Sequence, residues 1–423
     1  MNWKPYTCLL ILVGLPALAA VPPGYNDDES KMQPYSLPDP LVCADGTKVT
    51  DATTWREKRR PELLKLFENE VFGRTPIGRP ATMKSVLVSE KKDARGGKSL
   101  RREIDVLFFG KADGPRMRML IYTPAAATKP VPVILGLNFR GNHTVTDEKD
   151  ITLTESWVPN DEAAGISNHK ASEATRGCEK EQWQIDYALD HGYGVATAYY
   201  GDIDPDYDDG FKNGVHAVTG VPKDGEWGSI GTWSWALSRA MDTLETTTGI
   251  DPKKVIVMGH SRLGKTALWA GAQDERFALI ISNDSGHGGA ALSRRKFGET
   301  VKRLNTVFPH WFGYGYRKWN DRENECPIDQ HELIALIAPR PVLIHSATDD
   351  QWADPKGEFL GGLGADPAYR LLGTDGLAAT EWPHAQKLID SRIGYYLRPG
   401  EHGVTLEDWK SYVAFATRQL AQK

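Results

Sequence analysis

Apolar positions along this chain switch repeatedly between two spacings, and the switching predicts strands alternating with helices. Residues 21 to 45 are rich in Pro, Asp and Tyr without any period, and predict an extended lead-in. Asp51 to Val71, with Trp55, Leu63, Leu64, Leu66 and Phe67, has helical spacing. Strand character follows at Ser85–Val88, Arg102–Phe109 and Arg116–Tyr122. Val131–Leu137 is a continuous apolar run, as in a strand buried on both faces, and it ends in the polar loop Asn138-Phe139-Arg140-Gly141-Asn142. Trp183–Asp190 predicts a helix, Gly194–Tyr199 a strand, and Gly231–Thr248 a helix carrying Trp233, Trp235, Leu237 and Leu244. Val255–Met258 is the next strand, followed by a helix-forming segment, the strand Ala278–Ser282, the helix His331–Ile337 and the strand Pro341–Ile344. Trp382–Leu397 and Leu406–Gln419 are expected as two closing helices. This alternation predicts a mostly parallel sheet with helices on both faces and reactive groups at the carboxyl ends of its strands. No internal repeat or low-complexity linker follows residue 45, so residues 46–423 are expected to form a single catalytic domain.

Composition adds limits. Forty per cent hydrophobic and 25% charged residues describe an ordinary globular protein. The net charge of -5 carries no recurring basic block, which argues against nucleic acid as a partner. Lys4, the apolar stretch from Cys8 to Pro16 and the small residues Ala17-Leu18-Ala19-Ala20 predict a signal peptide over residues 1–20. That stretch is too short to cross a bilayer, so a secreted or periplasmic protein without a membrane partner is expected. A monomer is expected too. Cys8 falls in the signal segment; Cys43, Cys178 and Cys326 lack metal-ligand spacing, and a Cys178–Cys326 bridge is the expected pairing in an oxidising compartment. Thirteen tryptophans and fifteen tyrosines exceed what a core requires, and aromatic faces suit sugar rings.

The stretch Gly259-His260-Ser261-Arg262-Leu263-Gly264-Lys265, between the Val255–Met258 strand and a helix, has the layout of a nucleophile elbow. Gly264 stands one place later than in G-x-S-x-G, so a Gly-rich turn with an incidental serine is the bland alternative. A serine nucleophile needs a base, and the base needs an acid to orient it. His402, flanked by Gly400 and Gly403 on a loop between two helices, is the candidate base; His384, at a helix start, is the rival. Asp350 follows the Pro341–Ile344 strand and is the first choice of acid, with Asp349 turning the loop and Asp284 as a second carboxylate. Arg262 could add a charged donor where negative charge develops, or pair with a substrate carboxylate, and Lys265 lies one turn further on. The run Gly201 to Asp209 has five aspartates but lacks the glycine and glutamate of a calcium loop, and is taken as a turn-rich acidic loop.

These residues resemble the glucuronoyl esterases, carbohydrate esterase family 15. The elbow resembles their G-C-S-R-x-G-K signature, with His260 for cysteine as in the bacterial branch. Gly136 to Asn142, Ala198 to Asp202, Ser285 to Ala290, Asp329 to Leu333 and Asp350 to Pro355 are also similar to that branch. The resemblance implies an α/β-hydrolase fold and cleavage of esters between (4-O-methyl-)glucuronic acid on xylan and lignin alcohols, without metal or organic cofactor. It implies Ser261 as nucleophile, His402 as base, Asp350 or Asp284 as acid, and Arg262 at the oxyanion. Lys265, Glu299 and Trp352 match positions that contact the uronate sugar. Rival readings are another exported carboxylesterase, acting on acetylxylan or feruloyl esters, or an inactive sugar-binding protein on the same fold.

Overall fold

The computed structural model describes residues 21–421; the expected signal peptide, with Cys8, lies outside the described residues. Nine strands form one sheet: β1 (Lys84–Asp93), β2 (Ser99–Leu107), β3 (Arg116–Pro124), β4 (Val131–Asn138), β5 (Gly194–Tyr199), β6 (Ile250–His260), β7 (Leu279–Asn283), β8 (Val342–Ala347) and β9 (Ile393–Arg398). Their order is β1-β2-β3-β5-β4-β6-β7-β8-β9, antiparallel as far as the β3–β5 pair and parallel from β5 onward. Because side chains alternate along a strand, the parallel strands feed two apolar layers. Val133, Leu135, Val257, Ile280 and Ile344 pack towards α1 (Ser229–Leu244), α2 (Arg262–Gln273) and α3 (Pro355–Leu371). Ile134, Val195, Ile256, Ile281 and Leu343 pack with Trp409, Tyr412 and Phe415 of α4 (Leu406–Ala421) on the other face. The doubly covered, mostly parallel sheet is the one the sequence predicts.

Three expectations are corrected. Trp382–Leu397 is not a helix: residues 382–392 are irregular and Ile393–Arg398 is the edge strand β9. All six residues of β9 are buried, so the strand shows no alternation to separate it from a helix. The long helix α3 was not expected, because Gly357, Gly361, Gly362, Gly364 and Pro367 interrupt its pattern. Gly361 is there for close packing, since a Cβ at that position would lie 2.1 Å from the Ala290 carbonyl oxygen. The Cys178–Cys326 bridge is absent; Cys43, Cys178 and Cys326 are free thiols, with only Cys178 exposed. Cys326 is buried beside Phe67, Val71 and Tyr316, where its sulfur serves packing.

Helix α3 also carries Glu358 beneath the loops that follow β7 and β8. Its Oε1 accepts from Ser285 N at 2.7 Å, Gly286 N at 3.0 Å and Ser285 Oγ at 3.0 Å, and its Oε2 is 2.6 Å from Ser346 Oγ. Burial pushes this carboxyl up from 4.5 to about 8, against the hydrogen bonds that favour its charge.

The folded state therefore keeps a proton on Glu358 that the unfolded chain releases, so stability from this group falls as pH rises from about 4.5 to about 8. Glu358→Gln presents the same acceptor without the titration. Its melting temperature should decline less than that of the parent between about pH 5 and pH 8; parallel declines would contradict the assignment. For the chain lacking residues 1–20, a thiol reagent should modify Cys178 alone in the native state and all three cysteines after unfolding. Two thiols or fewer after unfolding without reductant would restore the case for a bridge.

Candidate active site

The last residue of β6 is His260, and α2 begins at Arg262, so Ser261 alone makes the turn between them. It does so at φ 57° and ψ -128°, a conformation L residues avoid. Three backbone hydrogen bonds hold it there. Ser261 N donates to the Asn283 carbonyl at 2.9 Å, while Gly264 N and Lys265 N donate to the Ser261 carbonyl at 2.8 and 3.2 Å. Gly259 is required because a Cβ there would sit 1.8 Å from the Leu263 carbonyl oxygen. Gly264 is displaced from the usual pattern for a similar reason: it faces Ser285, whose Cβ would be 2.9 Å from an added Cβ. The displaced glycine thus belongs to the elbow.

Ser261, Arg262, Lys265, Asp284, Glu299, Asp350, Trp352 and His402 all line one cavity of about 380 Å³. All eight candidates are brought together. His402 lies between β9 and α4, not between two helices, and His384 lines a separate cavity with Trp382 and Lys387. His402 Nδ1 is 2.6 Å from Asp350 Oδ2. A carboxylate there accepts from Nδ1–H and leaves Nε2 as the free base nitrogen. Asp284 makes no hydrogen bond to His402. Its Oδ2 accepts from Asn283 Nδ2 at 2.8 Å and Gly403 N at 3.3 Å, and its Oδ1 has no partner among the described residues. Burial first, then the nearby Asp350 and Glu358, holds Asp284 well above the usual carboxylate range. Burial thus favours its uncharged form. Asp284, Asp350 and His402 each offer one atom within 4.8 Å of the others, close enough to share a cation.

The acid and base loops are stitched together. Thr348 N donates to the Arg398 carbonyl at 2.8 Å, Asp349 N to the Gly400 carbonyl at 2.9 Å, and Gly400 N to Thr348 Oγ1 at 3.0 Å. The Arg398 guanidinium grips the His402 loop from within, donating to the carbonyls of Pro399 at 2.9 Å, Glu401 at 2.5 Å and Gly403 at 3.3 Å. Asp408 at the start of α4 accepts Arg398 Nε at 3.0 Å. His260, the residue before the nucleophile candidate, packs its ring 4.4 Å from that of His402. Burial, with His402, Arg262 and Arg398 nearby, keeps His260 well below its usual range and so uncharged. An uncharged neighbour does not oppose a cation forming on His402.

Arg262 extends over the cavity between the Phe139 and Trp311 rings, with centroids 5.5 and 5.0 Å away. Lys265 is buried, donating to the Ser285 carbonyl at 2.7 Å and to Glu299 Oε2 at 3.2 Å. Glu299 N donates to the Trp352 carbonyl at 3.0 Å, and the Trp352 ring meets Tyr25 edge-on at 5.0 Å. Pro22 adds to the cavity wall, so the extended lead-in reaches the site. Sequence reasoning missed Asp206, which accepts from Arg262 Nη1 at 2.8 Å, and also Asn283, Glu358 and Arg398; none of them belongs to a chemical motif. Only the five aspartates of Gly201–Asp209 carry a signal, and in sequence they read as a turn-rich acidic loop.

A family model described as glucuronyl esterase, fungi, matches residues 220–373. The chain is 53% identical to carbohydrate esterase MZ0003, from an unknown prokaryotic organism, over 98% of each chain. It is 27% identical to the 4-O-methyl-glucuronoyl methylesterase 1 of Wolfiporia cocos, over 86% of this chain and 81% of that one. Among solved structures, a promiscuous CE15 esterase from a marine bacterial metagenome superposes with a TM-score of 0.88 at 54% identity, covering 94% of this chain and all of that one. The glucuronoyl esterase from Solibacter usitatus gives 0.87 at 45%, covering 92% of this chain and 100% of that one. With the mostly parallel sheet and the serine elbow, these likenesses place the chain in carbohydrate esterase family 15, the glucuronoyl esterases of α/β-hydrolase fold.

Proposed function

We propose that the protein hydrolyses esters joining glucuronic or 4-O-methylglucuronic acid of glucuronoxylan to lignin alcohols, through an acyl-enzyme on Ser261. The observation that carries this reading is the convergence of an elbow serine, an Asp350-bound His402 and the Arg262 and Lys265 cations on one cavity. The names of the relatives support the substrate class, since the Wolfiporia protein is a methylesterase of 4-O-methyl-glucuronoyl esters. Ser261 Oγ attacks the ester carbonyl while His402 Nε2 takes its proton. The guanidinium of Arg262 and nearby backbone N–H groups receive the oxyanion. The tetrahedral species collapses, its carbon–alkoxy bond breaks, and His402 returns the proton to the departing alcohol. Water, deprotonated by the same nitrogen, then releases the uronic acid. Glu299 and Lys265 offer an acceptor and a donor to sugar hydroxyls, and Trp352 offers a face to the ring.

Asp350 is the proposed orienting acid and Asp284 a neutral neighbour that braces the His402 loop through Gly403. We also propose that residues 1–20 direct export, that residues 46–423 act as one catalytic domain, and that the protein works as a monomer. No helix among the described residues is long and apolar enough to cross a membrane.

On a benzyl glucuronate ester, Ser261→Ala should lose at least about 1,000-fold in kcat; a rate near the parent's would overturn the assignment. Asp350→Ala should lose roughly 100-fold and Asp284→Ala under about 10-fold. The reverse order would make Asp284 the working acid. A panel adding acetylxylan and feruloyl esters should give the uronate ester the highest kcat/KM, and a preference for either rival would favour a different carboxylesterase.

A further inference from the structure

The acidic run Gly201–Asp209 leaves the carboxyl end of β5, and one of its members turns inward. The side chain of Asp206 is largely covered and meets four donors at once. Its Oδ2 accepts from Arg262 Nη1 at 2.8 Å and from Tyr200 OH at 2.9 Å. Its Oδ1 accepts from His310 Nε2 at 2.9 Å and Trp311 Nε1 at 2.6 Å. Burial works against this charge, but His310, Arg262 and Trp311 outweigh it and hold the carboxyl down to about 2. The same Trp311 that donates to Asp206 lays its ring against Arg262 and is itself backed by Phe308, stacked at 3.7 Å and 3°.

Arg262 has few other restraints. Tyr200 OH is 3.5 Å away, and its Nε is buried without a partner among the described residues. One nitrogen is anchored while the rest of the fork stays uncommitted beside Ser261. We infer that Asp206 is a positioning residue for catalysis: it anchors Arg262 Nη1 so that the remaining guanidinium donors face the place where the ester oxyanion forms. The inference rests on the reading of Arg262 as an oxyanion donor.

Two effects of Asp206 oppose each other. Its charge offsets part of the Arg262 field, which weakens attraction for an oxyanion. Its grip keeps a long side chain from having to reorganise as charge develops. The grip should dominate, because without Asp206 only two ring faces and one weak hydroxyl contact hold the guanidinium, and a displacement of about 1 Å can cost about 100-fold.

The test is a double-mutant cycle on the benzyl glucuronate ester with the parent, Asp206→Asn, Arg262→Met and the double variant, reading kcat and KM separately. Asp206→Asn should lower kcat about 10- to 100-fold with KM within about threefold, and should change kcat less than about threefold once Arg262 is Met. If Arg262→Met alone keeps the parent kcat, the oxyanion reading fails and takes this inference with it. If Arg262→Met is impaired but Asp206→Asn costs the same factor in both backgrounds, only the positioning role fails. Should Asp206→Asn lose its cooperative melt, Asp206→Glu keeps the charge and moves it by one methylene. Taken through the same cycle, it should again impair the parent and spare the Arg262→Met background. An equal loss in both would overturn the inference.

Discussion

A single serine held in a backbone conformation that costs about 1–3 kcal/mol is the constraint around which the rest of this molecule is arranged. Ser261 can occupy it only because Gly259 lets the Leu263 carbonyl approach and because the Asn283 carbonyl, one strand over, accepts Ser261 N. The strain is borne by the apolar layer between β6 and α2, where Val255 and Val257 meet Leu263, Ala267 and Leu268. The hydroxyl is thereby lifted clear of the sheet at the mouth of the cavity, and a residue later Arg262 follows it out on the first turn of the helix.

Around this elbow the polar groups are arranged in shells of falling exposure. His402, 40% exposed at its side chain, faces the solvent-reaching cavity, while Asp350 beneath it is 5% exposed. Below these lie Asp284, Asn283, Glu358 and Arg398, which bond to both backbone and side chains around the site. Asn283 Nδ2 is near His260 Nδ1, Asp284 Oδ2 and the Gly403 carbonyl, and its Oδ1 meets Tyr412 of α4. Through it the strand after the elbow, the His402 loop and the last helix share one fixing point. Burial pushes Asp284 and Glu358 towards their uncharged forms, whereas Asp206 is held towards its charged form because cations and N–H donors surround it. Environment, not residue type, decides which acid holds charge in this site.

Much of this was legible in the sequence because it rests on local pattern. The elbow glycines, the buried strands β4 to β8 and the chain order of Ser261, Asp350 and His402 all carry period or spacing that a turn or a parallel strand requires. What escaped did so for physical reasons. Strand β9 is buried on both faces and has no alternation, and α3 hides behind glycines that exist to admit neighbouring backbone. Arg398 grips carbonyl oxygens, which any sequence supplies, so nothing marked its role. Asp206 stood among four other aspartates, and only the tertiary position of Trp311 and His310, about a hundred residues later, separates it from them.

The measurement that bears most directly on the central claim is covalent labelling by a fluorophosphonate followed by peptide mapping. Active-site serines react with such reagents because the same hydroxyl, base and oxyanion donors that attack an ester attack phosphorus. The account predicts stoichiometric modification of Ser261, loss of esterase activity in parallel, and protection by a uronate ester. Label on any other residue, or full activity after complete modification of Ser261, would contradict it.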